Sequence, residues 1–558
     1  MKKSIQFVVI LVLSVLTVSV LYAFRTLDDN RLTSWEWVFG TVSFVRILVL
    51  LIPGSILAFM LSKSPAPDCC PAIFLFILSF AASAVFWREP EMIVDASRYF
   101  TQAKYLELYG TGYFLREWGK TIGVWTDLPL MSFIYGIVFR YLGEARIYVQ
   151  LVTTLFFSFT VVLTYMIGKT LWDKETGFFG GMFLLGIPYI FTQAPLMLVD
   201  IPTMFFFTFA VFAFITALDR GGIWAPIASA ALFLVIFSKY SAWLMLSLFI
   251  IIVAVRLFQA HRRPGEIPVR RRGLRIIIPI LSAALAAGFV IFLKHDVFFS
   301  QIRLLVSYQK PGLGRWGESL ISTFLFQVHP FISAAAAFSV YSAWEKRDPK
   351  YLIISWLMVL IVVLQIKRIR YTVIAFPMFT LMAAYGTTAI RDPGLKRQIV
   401  FSVAACSLII AVFAYLPFLQ QTSSQNLLRA GAFLDTLPGK NVEVVTLPRK
   451  DDDVNIAVSV PLLDLFTEKR IHYTYKLQYV PPSEEMAVSP LRFTWIYKNP
   501  EFYEGHFAPG GPVAVISGDP PGRLPETVSE KLRTLEHSKS FILADDIFTH
   551  QTFVTVYY

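Results

Sequence analysis

The sequence predicts a mainly α, polytopic transmembrane fold of about 13 spans followed by a small α/β domain. Three observations carry this. Of 558 residues, 56% are hydrophobic and only 16% charged, with a mean hydropathy of +0.60, far from the roughly half apolar, quarter charged mix of a soluble domain. Apolar runs long enough to enter about 30 Å of hydrocarbon recur as far as residue 418. After QQTSSQ, residues 420–425, the composition turns polar, and helix-like and strand-like segments alternate. The expected division is therefore a membrane domain over 1–420 and an α/β domain over 421–558.

Taken in order, the apolar runs lie near 5–24, 36–62, 71–87, 146–167, 176–197, 201–218, 223–238, 240–257, 275–294, 318–341, 351–366, 371–389 and 399–418. The first follows Met1-Lys2-Lys3 and resembles a signal peptide, but it is longer than a signal core and lacks an A-x-A site, so it reads as a span. Arg256, Arg262, Arg263, Arg270, Arg271, Arg272 and Arg275 crowd one connection, and so dense a basic loop belongs in the cytoplasm. Counting spans from it puts Lys169 and Lys174, Lys346 and Arg347, and Arg391, Lys396 and Arg397 on the same inner side. The N-terminus is then cytoplasmic. The loop 88–145, the loop at Asp200, the turn at Lys239, the loop 295–317 and the tail after 420 are outside, as expected of a multi-pass plasma (inner) membrane protein. Within the first outer loop, 127–142 (DLPLMSFIYGIVFRYL) reads as a helix lying in the interface, with Tyr135 and Tyr141 at headgroup level.

In the tail, NLLRAGAFLDTL is helix-like, PGK is a turn, VEVVTL, PVAVISG and FVTVYY are strand-like, and SEKLRTL is a further helix. Gly510 and Gly511 sit in a Pro-rich loop, not at a strand-to-helix turn, so no dinucleotide fingerprint is present. The net charge of +12 would suit nucleic acid, but the basic residues fall between apolar runs and report topology instead. Of three cysteines, Cys69 and Cys70 are neighbours and Cys406 lies in an apolar run, so no disulfide framework is legible.

Several charged residues are costly at their positions. In PEMIVDASRYFTQAKYL, residues 90–106, Glu91, Asp95 and Arg98 would share one helix face at i, i+4 and i+7, placing an acid pair beside a cation. Low dielectric near lipid would raise a carboxyl pKa there towards the range of a base. A solvated loop helix is the alternative. LMLVDIPTMFFF holds a single acid, Asp200, ahead of Pro202, and reads as a cap that starts a span and faces an outer cavity. Lys239 in IFSKYSAW, and Lys367, Arg368 and Arg370 in LQIKRIRYTVIAFP, place cations on the outer side, against the positive-inside rule. A lipid phosphate is the natural anion for them, with general attraction to anionic headgroups as the alternative.

Two motifs fail. Gly168-Lys169-Thr170 lacks the earlier P-loop glycine, since Leu163 stands there. His295 with Asp296, and His329 with Pro330, lack metal-ligand spacing; an exposed loop and a kinked span explain them better. A hard divalent cation among Asp95, Glu91 and Asp200 is left open.

Acids in two outer loops together with a basic cluster suit transfer of a sugar from a lipid phosphate. The leaving phosphate needs cations and the acceptor hydroxyl needs a base. In order along the chain, DASRYFTQAKYL, the run ending at Asp200, FSKYSAWLML and RIRYTVIAFPMFTLMAAYG resemble the motifs of the GT-C class of integral-membrane glycosyltransferases, specifically its protein O-mannosyltransferase and aminoarabinose transferase group. The resemblance covers most of residues 71–390. It implies a polyprenyl-phosphate sugar as donor, a protein or lipid/glycan acceptor, transfer with inversion at the outer face, and no nucleic acid partner. It implies Asp95 as the base or acceptor-orienting carboxylate and Asp200 as a second acid shaping the acceptor or metal site; Glu91 is the further acidic candidate. Arg98, Tyr99, Lys239, Lys367, Arg368, Arg370 and Tyr371 would form the donor phosphate site. Ala96 stands where many members carry a second acid, which leaves open whether Glu91 substitutes. The rival reading is a transporter or flippase of lipid-linked sugars; its charges should lie near the bilayer midplane between related halves, and neither is apparent.

Overall fold

The computed structural model describes residues 3–262, 269–309, 317–449, 452–474, 491–504, 511–522 and 524–558. Arg263 and Gly510 lie outside the described residues. The chain is mainly helical and polytopic, with a small mixed sheet near its C-terminus. Among the described residues eight helices are long and apolar enough to cross a membrane: Ile5–Ala23, Phe44–Lys63, Pro71–Arg88, Arg146–Leu171, Asp200–Arg220, Tyr240–Arg262, Gly273–Leu293 and Pro393–Leu419. These answer to eight of the expected runs. The runs 176–197, 223–238, 318–341, 351–366 and 371–389 fold as shorter helices, among them Lys174–Leu184, Trp224–Ile236, Pro330–Lys346, Tyr351–Val363 and Phe376–Thr387. Hydropathy alone could not separate the two groups, because both are apolar; proline positions and turns cut the second group short.

The chain divides into two compact units. The first comprises residues 1–86, 152–195 and 199–416. Small residues let its helices approach closely: a Cβ on Gly168 would stand 2.6 Å from the Gly177 Cα, and one on Gly386 would meet the Ala335 carbonyl. Gly168, discarded as a P-loop residue, is thus a packing glycine. Pro330 does not kink a span but opens the helix Pro330–Lys346, whose first turn is capped by His329 Nδ1 accepting from the Phe331 amide at 3.2 Å. The expected loop at 295–317 begins as a helix, His295–Leu304.

The second unit comprises residues 87–151, 196–198 and 417–558. Its helix Ile93–Glu117 packs on the helix Pro129–Leu142, where Gly136 lies against Leu106 and the Ala103 carbonyl. The first of these is broken at Gly110, whose φ of 85° and ψ of 171° suit glycine alone. The break frees carbonyls, and Arg140 Nη1 donates to that of Glu107 at 3.0 Å and that of Leu106 at 3.5 Å. Pro129–Leu142 forms as expected, and Tyr141 is exposed. Tyr135, however, is fully buried and its hydroxyl donates to the Leu198 carbonyl at 2.7 Å, so it is not at headgroup level. The helix has a protein partner on the face assigned to lipid.

The tail builds a five-stranded sheet from β1 (Asn441–Leu447), β2 (Arg470–His472), β3 (Val513–Ser517), β4 (Ser538–Phe541) and β5 (Phe553–Tyr557) in the order β2-β1-β3-β5-β4. β1 is parallel to β2 and β3; β5 is antiparallel to β3 and β4. The helices Gln425–Leu434 and Glu526–Leu532 correspond to the helix-like segments, and Val528 and Leu532 of the latter pack on Val513 and Val515.

Candidate functional site

Within the first unit, Asp200 is the first residue of its helix, since Val199 holds the cap position. Its carboxylate is not a cap. It is fully buried and accepts from Lys239 Nζ at 2.5 Å and from Arg370 Nε and Nη2 at 3.0 and 2.9 Å. A carboxylate so enclosed is tolerated because two cations satisfy it. Lys239 reaches Asp200 because the chain is extended there, ahead of the short helix Tyr240–Met245. Arg370 reaches it from the short helix Ile369–Thr372. Lys239 Nζ also stands 4.9 Å from the centre of the Tyr371 ring, with Arg368 over the same ring at 5.8 Å. Arg368 pairs with Glu318 at 3.8 Å, and Glu318 accepts from the Ile369 amide at 3.0 Å. Lys239, Arg368, Arg370 and Tyr371 thus come together around Asp200. Lys367 is exposed, and its carbonyl accepts from Thr323 Oγ1 at 3.3 Å.

The second unit inverts this stoichiometry. Arg98 Nη2 donates to Asp95 at 3.0 Å and to Asp127 at 3.1 Å, so one cation serves two acids. The pair Asp95 and Arg98 shares a helix face at i, i+3, and Asp127 comes from the loop preceding Pro129–Leu142. Gln102 donates to Asp127 at 3.3 Å and accepts from Ser132 at 2.8 Å. The guanidinium lies over Phe493 at 4.5 Å and beside Tyr99 at 5.8 Å. Burial works against the Arg98 charge, but Asp127 and Asp95 together hold its pKa above the ordinary value. Burial pushes Asp127 above the usual carboxylate range; Arg98 pulls it down and Asp95 pushes it up.

Glu91 does not share a face with Asp95. The helix begins only at Ile93, and Glu91 turns away to accept from Arg146 Nε at 2.9 Å and from the Met197 amide at 2.8 Å. The cause is a stronger partner: a guanidinium and an amide satisfy Glu91 better than a neighbouring carboxylate could. A third group in this unit was not legible in sequence. Lys104 Nζ meets Glu144 at 2.9 Å and Asp464 at 2.5 Å, and Tyr503 donates to Asp464 at 2.7 Å. Burial, followed by the Asp464 charge, pushes Glu144 well above the ordinary carboxyl range. Lys104 is part of the quoted 90–106 stretch, but its partners are 40 and 360 residues away, beyond any local pattern. Asp127 had a local signal, an acid at the start of an apolar helix.

Among the described residues no group of three His, Cys, Asp or Glu side chains is placed to hold a metal. Asp95, Glu91 and Asp200 are each met by a guanidinium or an ammonium. These donor sets do not fit a resident divalent ion.

A family profile described as dolichyl-phosphate-mannose-protein mannosyltransferase matches residues 127–291, a region holding Asp127, Glu144, Asp200 and Lys239. The fold is similar to that of ArnT from Cupriavidus metallidurans in the apo state, with TM-score 0.55, 12% identity, and coverage of 88% of this chain and 98% of that one. ArnT bound to undecaprenyl phosphate gives TM-score 0.52, 12% identity, and coverage of 87% and 98%. The archaeal oligosaccharyltransferase AglB from Archaeoglobus fulgidus, in complex with an inhibitory peptide and a dolichol-phosphate, aligns at TM-score 0.46 and 10% identity over 81% of this chain and 70% of that one, too remote to carry weight. No curated protein matches. The chain therefore has an ArnT-like GT-C fold. Its region 127–291 is similar to the dolichyl-phosphate-mannose-protein mannosyltransferase family profile.

Proposed function

We propose that the chain transfers a sugar, with inversion, from a polyprenyl phosphate to a hydroxyl or amine of a protein or lipid/glycan acceptor on the outer face of the plasma (inner) membrane. The observation that carries this reading is the convergence of cations on Asp200. Lys239 and Arg370 both meet its carboxylate, and Arg368 lies over the same Tyr371 ring as Lys239, which gathers three cations where a phosphate can be met. In this reading the acceptor oxygen attacks the anomeric carbon, the bond from that carbon to the phosphate oxygen breaks, and the phosphate leaves with the electron pair. Lys239, Arg368 and Arg370, with Lys367 and Tyr371 beside them, meet the charge that develops there.

Asp95 takes the acceptor proton. It is the more exposed of the two acids on Arg98, with 20% of its side chain open against 5% for Asp127. Arg98 and Tyr99 hold Asp95 and the donor in place. Glu91, engaged by Arg146, acts as a positioning acid. The five shorter apolar helices complete about 13 crossings, with the N-terminus cytoplasmic and residues 421–558 outside as a separate domain.

The test is a panel of polyprenyl-phosphate sugars supplied to the protein in lipid nanodiscs with an acceptor pool. Release of polyprenyl phosphate by the wild type, lost in Asp95→Asn while donor binding is kept, supports the proposal. Donor binding without release from either protein overturns it in favour of transport.

A further inference from the structure

A second polar site lies apart from this chemistry, within the first unit. A cavity of about 490 Å³ is lined by Trp172, Asp173, Lys346, Arg347, Asp348 and Lys350, with Tyr385 forming one wall. Its size is that of a small-ligand pocket. These residues belong to the connections that the distribution of basic residues assigns to the inner side, together with Lys169 and Lys174.

The charges in the cavity are unevenly engaged. Both acids are taken up by neutral donors. Asp348 accepts from Trp172 Nε1 at 2.6 Å, from the Lys350 amide at 3.0 Å and from the Tyr385 hydroxyl at 3.5 Å. Asp173 caps the helix Lys174–Leu184 by accepting from the Thr176 amide at 2.7 Å. Among the described residues neither Lys346 nor Arg347 forms an ion pair. Lys346 Nζ lies 4.9 Å from the Tyr385 ring centre, and Lys350 Nζ lies 5.5 Å from that of Trp172 while donating to the Leu171 carbonyl. Arg347 is held in the left-handed region, φ 49° and ψ 43°, as the C-cap of Pro330–Lys346. Burial lowers the Lys350 pKa, and the nearby charges act both ways, Asp348 and Asp173 raising it and Arg256 lowering it; the net direction is down.

We propose that this cavity binds a phosphate anion, borne by the headgroup of an anionic membrane lipid or free in solution, between Lys346, Arg347 and Lys350. Trp172, which follows the apolar helix Arg146–Leu171 and is half-buried, is of a residue type that sits at headgroup level. The cations supply charge-assisted hydrogen bonds, and the guanidinium of Arg347 suits two phosphate oxygens at once.

The test uses the full chain purified in a neutral detergent, titrated with dioctanoyl phosphatidylglycerol, dioctanoyl phosphatidylcholine and inorganic phosphate, with binding read by native mass spectrometry. Phosphatidylglycerol should bind the wild type at least fivefold more tightly than phosphatidylcholine does. That preference should be lost in the double variant Lys346→Ala, Arg347→Ala and weakened in Lys350→Gln. Both sites being on connections, the thermal midpoint of the double variant serves as the control for folding. Displacement of phosphatidylglycerol by millimolar inorganic phosphate would identify free phosphate as the ligand, and lack of displacement the lipid. Equal binding of the two lipids to the wild type, or an unchanged preference in a folded double variant, would overturn the proposal.

Discussion

Asp200 and Arg98 are mirror images in charge. At Asp200 one buried acid answers to two cations, Lys239 and Arg370; at Arg98 one half-buried cation answers to two acids, Asp95 and Asp127. Each arrangement keeps its central charge ionised, but the residual charge has opposite sign. In the function proposed above, the first arrangement is the one that would meet a phosphate and the second the one that would take a proton. Asp28 supplies the contrast to both. Its carboxyl is buried and accepts only from neutral donors, among them the Trp35 amide at 2.8 Å, Gln327 Nε2 at 2.8 Å and Ser322 Oγ at 2.5 Å. Burial then prevails over those hydrogen bonds and pushes its pKa up to about 6.

The contrast breaks most directly at its centre. Asp200→Asn takes from the half-buried Lys239 and Arg370 the carboxylate they share, and should cost about 3 kcal/mol of stability as well as transfer activity; the thermal midpoint in nanodiscs and polyprenyl phosphate release measure the two. Asp95→Asn should act on chemistry alone, slowing transfer by about 10²–10⁴-fold with a nearly unchanged midpoint. A comparable loss of midpoint in Asp95→Asn would show that the two acids do the same structural work. At Asp28, a folded pKa of about 6 lies above the ordinary value of 3.8, so the folded state holds the proton more firmly. The contribution is complete below about pH 4 and lost as pH rises through 6, a fall of about 3 kcal/mol that a midpoint-against-pH series should show and Asp28→Asn should flatten. Arg370→Lys keeps the charge but not the two-pronged contact with Asp200, and should weaken donor binding about tenfold with transfer retained at saturation. Smallest is Tyr135→Phe, which removes one hydrogen bond to the Leu198 carbonyl; a midpoint shift equivalent to about 1 kcal/mol, with unchanged transfer, is expected.

The legible part of this molecule was its solvent preference. Runs of apolar residues gave the eight long helices, because hydrocarbon requires every backbone group to be satisfied within the segment. Period-two and period-3.6 patterns marked β1, β3 and β5 and two helices of the tail, whereas β2 and β4, three and four residues long, are too short to carry a legible period. The cations of LQIKRIRY and the lone acid of LVDIP stood out because charge is costly there, and Asp200, Lys239 and Arg370 do meet. Partner choice was not legible. Glu91 was assigned to Asp95 on helical spacing, and the partner it has, Arg146, lies 55 residues away. Lys104 drew no reading from the sequence, and its counterion Asp464 lies 360 residues on. Tyr135 was assigned to the interface because an amphipathic helix looks the same whether lipid or protein covers its apolar face. Long-range pairing is a property of the packed chain, and local spacing carries no record of it.

The sheet of the tail ends on both sides in short strands, three residues in β2 and four in β4. On the second edge Lys539 lies over the Phe433 ring at 4.2 Å and keeps a charge beside the open backbone. Many copies of a membrane protein share one two-dimensional surface, where their soluble parts collide far more often than in bulk solution. An edge so short and so marked gives a neighbouring copy almost no ladder to extend, and guards the crowded surface against strand exchange and aggregation.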